Sequence, residues 1–90
     1  MIKATVYITL KHGVLDPQGK AIHNALGHLG FDGVKDARQG KMIELVLDDP
    51  DTTSAKEQAT KMCEKLLANT VIENYRIELN EVSDQTGNTV

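Results

Sequence analysis

Few residues in this chain have the type and spacing to do chemistry. The imidazoles are His12, His23 and His28, and the one thiol is Cys63. His23 and His28 stand five apart, one more than the i, i+4 spacing that puts two ligands on a common helix face, so both read as solvated. His12 lies in a loop beside Gly13 and is the exception. Cys63 falls on an apolar helical stripe, where a cysteine acts as a small hydrophobe rather than a nucleophile. The carboxylates Asp48, Asp49 and Asp51 crowd a turn rich in helix-capping residues. Nothing beside them offers the protected pocket that would split their protonation for acid–base catalysis. Gly13 and Gly19 hint at a phosphate loop, yet neither G-x-G-x-x-G nor G-x-x-x-x-G-K-[ST] occurs, and Asp16 stands where an anion would approach. The chain is therefore expected to carry no catalytic residue, no cofactor site and no metal site of its own.

Composition narrows the classes further. Ninety residues with 40% hydrophobic and 26% charged side chains describe one small soluble domain. A chain this short hides only roughly 60–65% of its unfolded surface, so association is expected to add stability. Ten Lys and Arg against thirteen Asp and Glu leave a net charge of -3, which gives nucleic acid and anionic membranes no electrostatic hold. Base stacking is equally unsupported, because the aromatics are only Tyr7, Tyr75 and Phe31 and no RNP-like segment is present. A metal carrier would need paired cysteines after the first strand, where the sequence reads His12-Gly13-Val14-Leu15. A lone cysteine, no apolar run near the ~20 residues of a membrane span and no signal-like amino terminus point to the cytoplasm.

The elements that must hold these residues follow from periodicity. Ile2, Ala4, Val6, Ile8 and Leu10 alternate with polar residues, predicting a strand over 2–11 buried on one face. Asp16 as N-cap and Pro17 at the first helical position open a helix over 17–29, with Ala21, Ile22, Ala25, Leu26 and Leu29 as its apolar stripe. Residues 33–39 read as a weak second strand, turned through Arg38-Gln39-Gly40-Lys41 into a strong third strand over 42–47. Ser54 and Glu57 fit a capping box for a second helix, whose stripe is Ala55, Ala59, Met62, Cys63, Leu66 and Leu67 and which ends at Asn69-Thr70. A fourth strand is expected over 71–79, and residues 82–90 form a polar tail too poor in apolar side chains to be ordered. The order β-α-β-β-α-β is the ferredoxin-like split arrangement, with a four-stranded antiparallel sheet and both helices on one face, in a single domain over 1–81.

With the even residues of the first strand facing the helices, Tyr7 points outward. Together with Met42, Val46 and Ile72 it forms a partly apolar patch among Thr5, Thr9, Glu44 and Arg76, a candidate interface on the open face of the sheet.

Three segments carry a family resemblance: Lys11-His12-Gly13-Val14-Leu15-Asp16-Pro17-Gln18-Gly19, Arg38-Gln39-Gly40-Lys41-Met42-Ile43-Glu44-Leu45, and the run from Met62-Cys63-Glu64-Lys65-Leu66-Leu67-Ala68-Asn69 to Tyr75. In unbroken order over residues 2–80 the chain resembles the PurS family, the small subunit of phosphoribosylformylglycinamidine synthase. Thr70 stands where the family commonly has proline, which touches only a turn. The resemblance implies a non-catalytic subunit, dimeric or of higher homo-oligomeric order, that joins a glutaminase subunit to a large synthetase subunit. There, ammonia released from glutamine serves the ATP-dependent amidation of formylglycinamide ribonucleotide in purine biosynthesis. Loops on a rigid sheet commonly carry recognition, so Lys11, His12, Gly13, Asp16 and Gly19 after the first strand, with Arg38, Gly40 and Lys41 in the expected hairpin, are the candidate partner contacts. Two other readings share the fold. An ACT-like regulatory module would bind a small molecule at a helix–strand interface, for which the glycine-bearing loop is the one favourable feature. An acylphosphatase-like enzyme would need an arginine in that loop, and the arginines are Arg38 and Arg76.

Overall fold

A computed structural model describes residues 1–82 and gives the order β1 (Ile2–Leu10), α1 (Pro17–His28), β2 (Lys41–Leu47), α2 (Thr52–Met62), a π-helical turn (Cys63–Leu67) and β3 (Glu73–Glu81). Residues 83–90, most of the expected tail, lie outside the described residues.

β1 is the centre of the molecule. It pairs antiparallel with β2 on one side, Ile2 opposite Leu47 through Ile8 opposite Lys41, and with β3 on the other, Ile2 opposite Glu81 through Leu10 opposite Glu73. Both of its edges are thereby satisfied, and its alternation decides which face is dry. Ile2, Ala4, Val6 and Ile8 are completely buried and head two adjoining apolar clusters, one closed by Ala55 and Ala59 of α2, the other by Cys63 and Ala68. Small side chains at Ala55, Ala59 and Cys63, spaced by four, let α2 approach the sheet closely.

The sheet departs from the expected four strands. It has three, in the order β2-β1-β3, and residues 33–39 are irregular. That segment holds only Val34 and Ala37 as half-buried side chains and has no period of two to seat it on a sheet. Its polar groups are engaged elsewhere: Val34 O meets His23 Nε2 at 2.7 Å, and the Gln39 N–H donates to Asp16 Oδ2 at 2.9 Å. It runs back along α1 as a strap instead of pairing with β2.

A second departure follows from the first. Both helices were expected on one face, but only α2 lies on the sheet, against β1 and β3. α1 makes no sustained packing contact with any strand or with α2, and neither apolar cluster includes one of its residues. The amphipathic stripe that predicted the helix is present and largely uncovered.

α2 also begins earlier than the capping box suggested. Asp51 is its N-cap, accepting the Thr53 N–H at 3.2 Å, and the Asp51 N–H itself donates to Asp49 Oδ1 at 3.0 Å. Buried Asp49 is satisfied by that bond and by Gln58 Nε2 at 3.0 Å. An aspartate three residues ahead of Ser54 thus claims the capping position. At the other end the Ala68 N–H reaches back five residues to Cys63 O at 2.9 Å, a π turn that closes α2 before β3.

Replacing the buried Ile8 by alanine is expected to cost about 2–5 kcal/mol, against less than about 0.5 kcal/mol for Asn80→Ala at the exposed face, read as urea midpoints at constant slope.

Candidate functional site

The residues singled out after the first strand and before the third are brought together into one joint. Asp16 is its centre. Oδ1 accepts the Gly19 N–H at 2.9 Å, capping α1, and Oδ2 accepts the Gln39 N–H at 2.9 Å, holding the strap. The Gln39 bond first and the Gly19 bond second hold the Asp16 carboxyl below the ordinary value of 3.8, with Arg38 adding a smaller pull in the same direction.

Two glycines let backbones meet here. A Cβ on Gly19 would lie 2.5 Å from Ala37 O, and one on Gly40 would collide with Ile8 O. Any side chain at either position would therefore push the strap off the helix or off β1. Arg38 completes the joint by donating from Nη2 to Leu10 O and, at 3.4 Å, to Lys11 O, and Gln39 donates to the Gln18 side chain. The end of β1, the start of α1 and the end of the strap are thereby fastened to one another through polar contacts. Further along, His23 Nε2 at Val34 O keeps the strap against the helix, and the Phe31 N–H on Leu26 O, 2.9 Å, closes the C-terminal end of α1.

Lys11 stands one step past the ladder, its N–H donating to Ile72 O at 2.8 Å. Exposed His12 and Gly13, at φ 86°, form the turn beyond it, outside the hydrogen bonds of the joint. Lys41 begins β2 and faces Glu73 at 3.8 Å. Beneath the joint an open groove of about 450 Å³ runs over Ile8, Leu10 and Pro17 toward Lys41 and Glu73. Sequence reasoning did not name Gln18, Gln39 or His23 as parts of this joint. Their contacts span 11 to 23 residues, beyond any local pattern.

The open sheet face is a polar network around one aromatic ring. Tyr7 lies between Met42 and Arg76 in register, with the Arg76 guanidinium 4.3 Å from the ring centroid, and its hydroxyl donates to Glu78 at 3.4 Å. Arg76 pairs with Glu78, and Lys3 with Glu44 at 2.6 Å. Val46 sits opposite Lys3, while Ile72 lies in the turn before β3. Of the proposed patch, Met42, Tyr7 and Val46 share this face, interleaved with charge.

Cys63 is fully buried, and burial first, then the nearby Glu64, raises its thiol, so it stays protonated at neutral pH. Burial and Glu64 likewise raise Tyr75, whose hydroxyl donates to Glu64 Oε2 at 3.2 Å. Among the described residues no three His, Cys, Asp or Glu side chains converge as metal ligands, and no helix is long and apolar enough to cross a membrane. What the arrangement offers chemically is shape: a rigid joint, a charged sheet face and uncovered apolar side chains.

Comparison with known proteins gives this shape a setting. A family model described as PurS, phosphoribosylformylglycinamidine (FGAM) synthase, matches residues 3–81. The phosphoribosylformylglycinamidine synthase subunit PurS of Synechocystis sp. is 53% identical over 74 residues, 82% of this chain and 74% of that one. Among solved structures, PurS of Methanocaldococcus jannaschii, one of the subunits of formylglycinamide ribonucleotide amidotransferase, superposes with a TM-score of 0.84 at 44% identity, covering 92% of this chain and all of that one. A chain of PurLQS from Thermotoga maritima superposes with a TM-score of 0.79 at 30% identity, covering 89% and 99%.

Asp16→Asn leaves one carbonyl oxygen to serve two N–H groups, so it should weaken the joint. Because the folded carboxyl lies below its ordinary value, its contribution is complete above pH 3.8 and is lost as pH falls from there through the lower folded value. Thermal melts at stepped pH should therefore show a shallower acid-side loss for Asp16→Asn than for the parent. Identical slopes would mean that the two bonds do not contribute.

Proposed function

This chain belongs to the PurS family, and from that premise we propose that it is the small subunit of a phosphoribosylformylglycinamidine synthase complex in purine biosynthesis. The observation that carries the reading is the match over residues 3–81, which includes the joint, both helices and all three strands. Its partners are a glutaminase subunit and a large synthetase subunit, in keeping with the three-protein name of the Thermotoga maritima relative. The chain contributes no reacting group. It holds the two enzymes so that ammonia made by one reaches the ATP-dependent amidation of formylglycinamide ribonucleotide on the other, which is catalysis by position.

The same reading places the chain in the cytoplasm as a homodimer or higher homo-oligomer. In support stands the amount of apolar side chain left uncovered on α1 and beside α2 in so small a protein. Lys11, His12, Gly13, Asp16, Gly19, Arg38, Gly40 and Lys41 are the proposed contacts at the joint, and Tyr7, Met42, Val46 and Ile72 those on or beside the open face. The ACT-like alternative gains nothing from the comparisons.

Reconstitution tests this directly. Glutamine-dependent amidation by the purified glutaminase and synthetase subunits should fall at least tenfold when this chain is omitted and return when it is added, while ammonia-dependent amidation by the synthetase alone should change far less. Full glutamine-dependent activity without the chain would overturn the proposal. Arg38→Ala is expected to weaken complex assembly in the same assay, measured as the concentration of chain needed for half-maximal rescue.

A further inference from the structure

The strap leaves α1 through a pair of residues that the chain uses nowhere else. Asp32 is the only aspartate or asparagine in the sequence that precedes a glycine, Gly33. The two are the central residues of the turn that carries the chain from Phe31 to Val34, and both are exposed. Glycine after aspartate is the pairing that lets a backbone nitrogen reach the side chain before it, because no Cβ stands in the way. At Gly33 nothing lies within 4 Å of the point where a Cβ would sit.

Both groups of this pair are free of other partners. Among the described residues the Asp32 carboxylate accepts no hydrogen bond and the Gly33 N–H donates none. The other described aspartates differ. Asp16 and Asp49 precede prolines, which have no N–H. Asp36 precedes the half-buried Ala37, Asp48 the buried Asp49, and Asp51 the β-branched Thr52, each with a Cβ in the path. An open hollow of about 510 Å³, lined by His23, Asn24, His28 and Phe31, reaches Asp32 and gives water a way to the turn.

We propose that Asp32–Gly33 is a self-modification site, at which the folded chain converts aspartate into isoaspartate. The Gly33 nitrogen bonds to Asp32 Cγ, and one carboxyl oxygen leaves as water, taking the proton of that nitrogen and one from solvent. A five-membered succinimide closes. A second water then opens the ring. Where it adds at the former main-chain carbonyl, the bond from that carbonyl to the Gly33 nitrogen breaks, and the backbone now runs through the Asp32 β-carbon with a carboxylate left on the α-carbon. The water lost is regained, the charge is unchanged, and neither an oxidant nor a cofactor takes part.

The consequence is a longer strap. One extra carbon adds about 1.5 Å of main chain. It enters between two fixed points, the Phe31 N–H on Leu26 O at 2.9 Å and Val34 O at His23 Nε2, 2.7 Å. A hydrogen bond of this kind fades beyond ~3.2 Å, so the strap lets go of His23. The joint lies further along and keeps its own bonds to Asp16.

Ageing of the full folded chain at neutral pH and body temperature tests this. Labelling with a protein isoaspartyl carboxyl methyltransferase, followed by peptide mapping, should place the methyl groups at Asp32, after a succinimide form lighter by one water has appeared. The folded chain should gain label at a rate within tenfold of the same chain in urea, since the turn leaves both groups free. Gly33→Ala, which has open space for its Cβ, should slow the reaction at least tenfold. Asp32→Glu, whose ring would need six members, should stop it. Label no faster at Asp32 than at Asp36, or protection of more than tenfold relative to urea, would overturn the site. In the isolated isoaspartyl form the His23 ring resonances should move while the Gly19 and Gln39 amides keep their protection from hydrogen exchange. An unmoved His23 ring, or a joint that loses its protection, would overturn the effect on the strap.

Discussion

The two N–H groups that share the Asp16 carboxylate set the path of the chain between β1 and β2. One belongs to the first turn of α1 and the other to the end of the strap, so a single side chain ties the segment before β2 to the helix that precedes it. A strap held there cannot extend the sheet, which leaves β2 as an edge strand. A helix held there cannot lie over β2, which leaves its own apolar stripe bare. The bonds are to a charged acceptor, the stronger kind, and the close approaches at Gly19 and Gly40 leave no room for a side chain at either position.

How much of this was legible in the sequence depends on how far apart the cooperating residues lie. The alternation of Ile2, Ala4, Val6, Ile8 and Leu10 is local, and it located β1 and its buried face correctly. Asp16 and Pro17 are adjacent, and they marked the start of α1. The strap was misread because Arg38-Gln39-Gly40-Lys41 has the composition of a hairpin turn, whereas its actual partners are Asp16, Gln18 and Leu10, some twenty residues or more back. No periodicity rule sees such a contact. The stripe on α1 was read correctly as apolar and incorrectly as covered, since amphipathicity says that a face needs a partner without saying that the partner is in the same chain.

The second helix shows the same limit on a smaller scale. The spacing pointed to Ser54 as the cap, whereas Asp49, whose carboxylate takes the Asp51 N–H and the Gln58 amide, fixes the turn so that α2 is capped three residues earlier, at Asp51. The row Ala55, Ala59, Cys63 is buried as its spacing demands, while Met62 and Leu66, equally apolar and on the same stripe, form an exposed shoulder. A stripe wider than the contact it makes leaves a shoulder, and here Met62 and Leu66 line an open groove with Leu45 of β2.

A subunit that acts by position needs surfaces that are rigid before its partners arrive, because every group ordered on binding subtracts from affinity. The joint supplies that rigidity with side-chain to backbone bonds, leaving apolar residues free for contacts outside the chain. A tightly closed monomer of ninety residues would have consumed Ile22, Leu29, Met62 and Leu66 in its own core. By fastening α1 outward through Asp16, the chain leaves those side chains exposed, and a domain this small gains stability from any contact that covers them. In the assembly proposed above, stability and association are one equilibrium, and weakening the polar joint disturbs both even though no apolar residue has been touched.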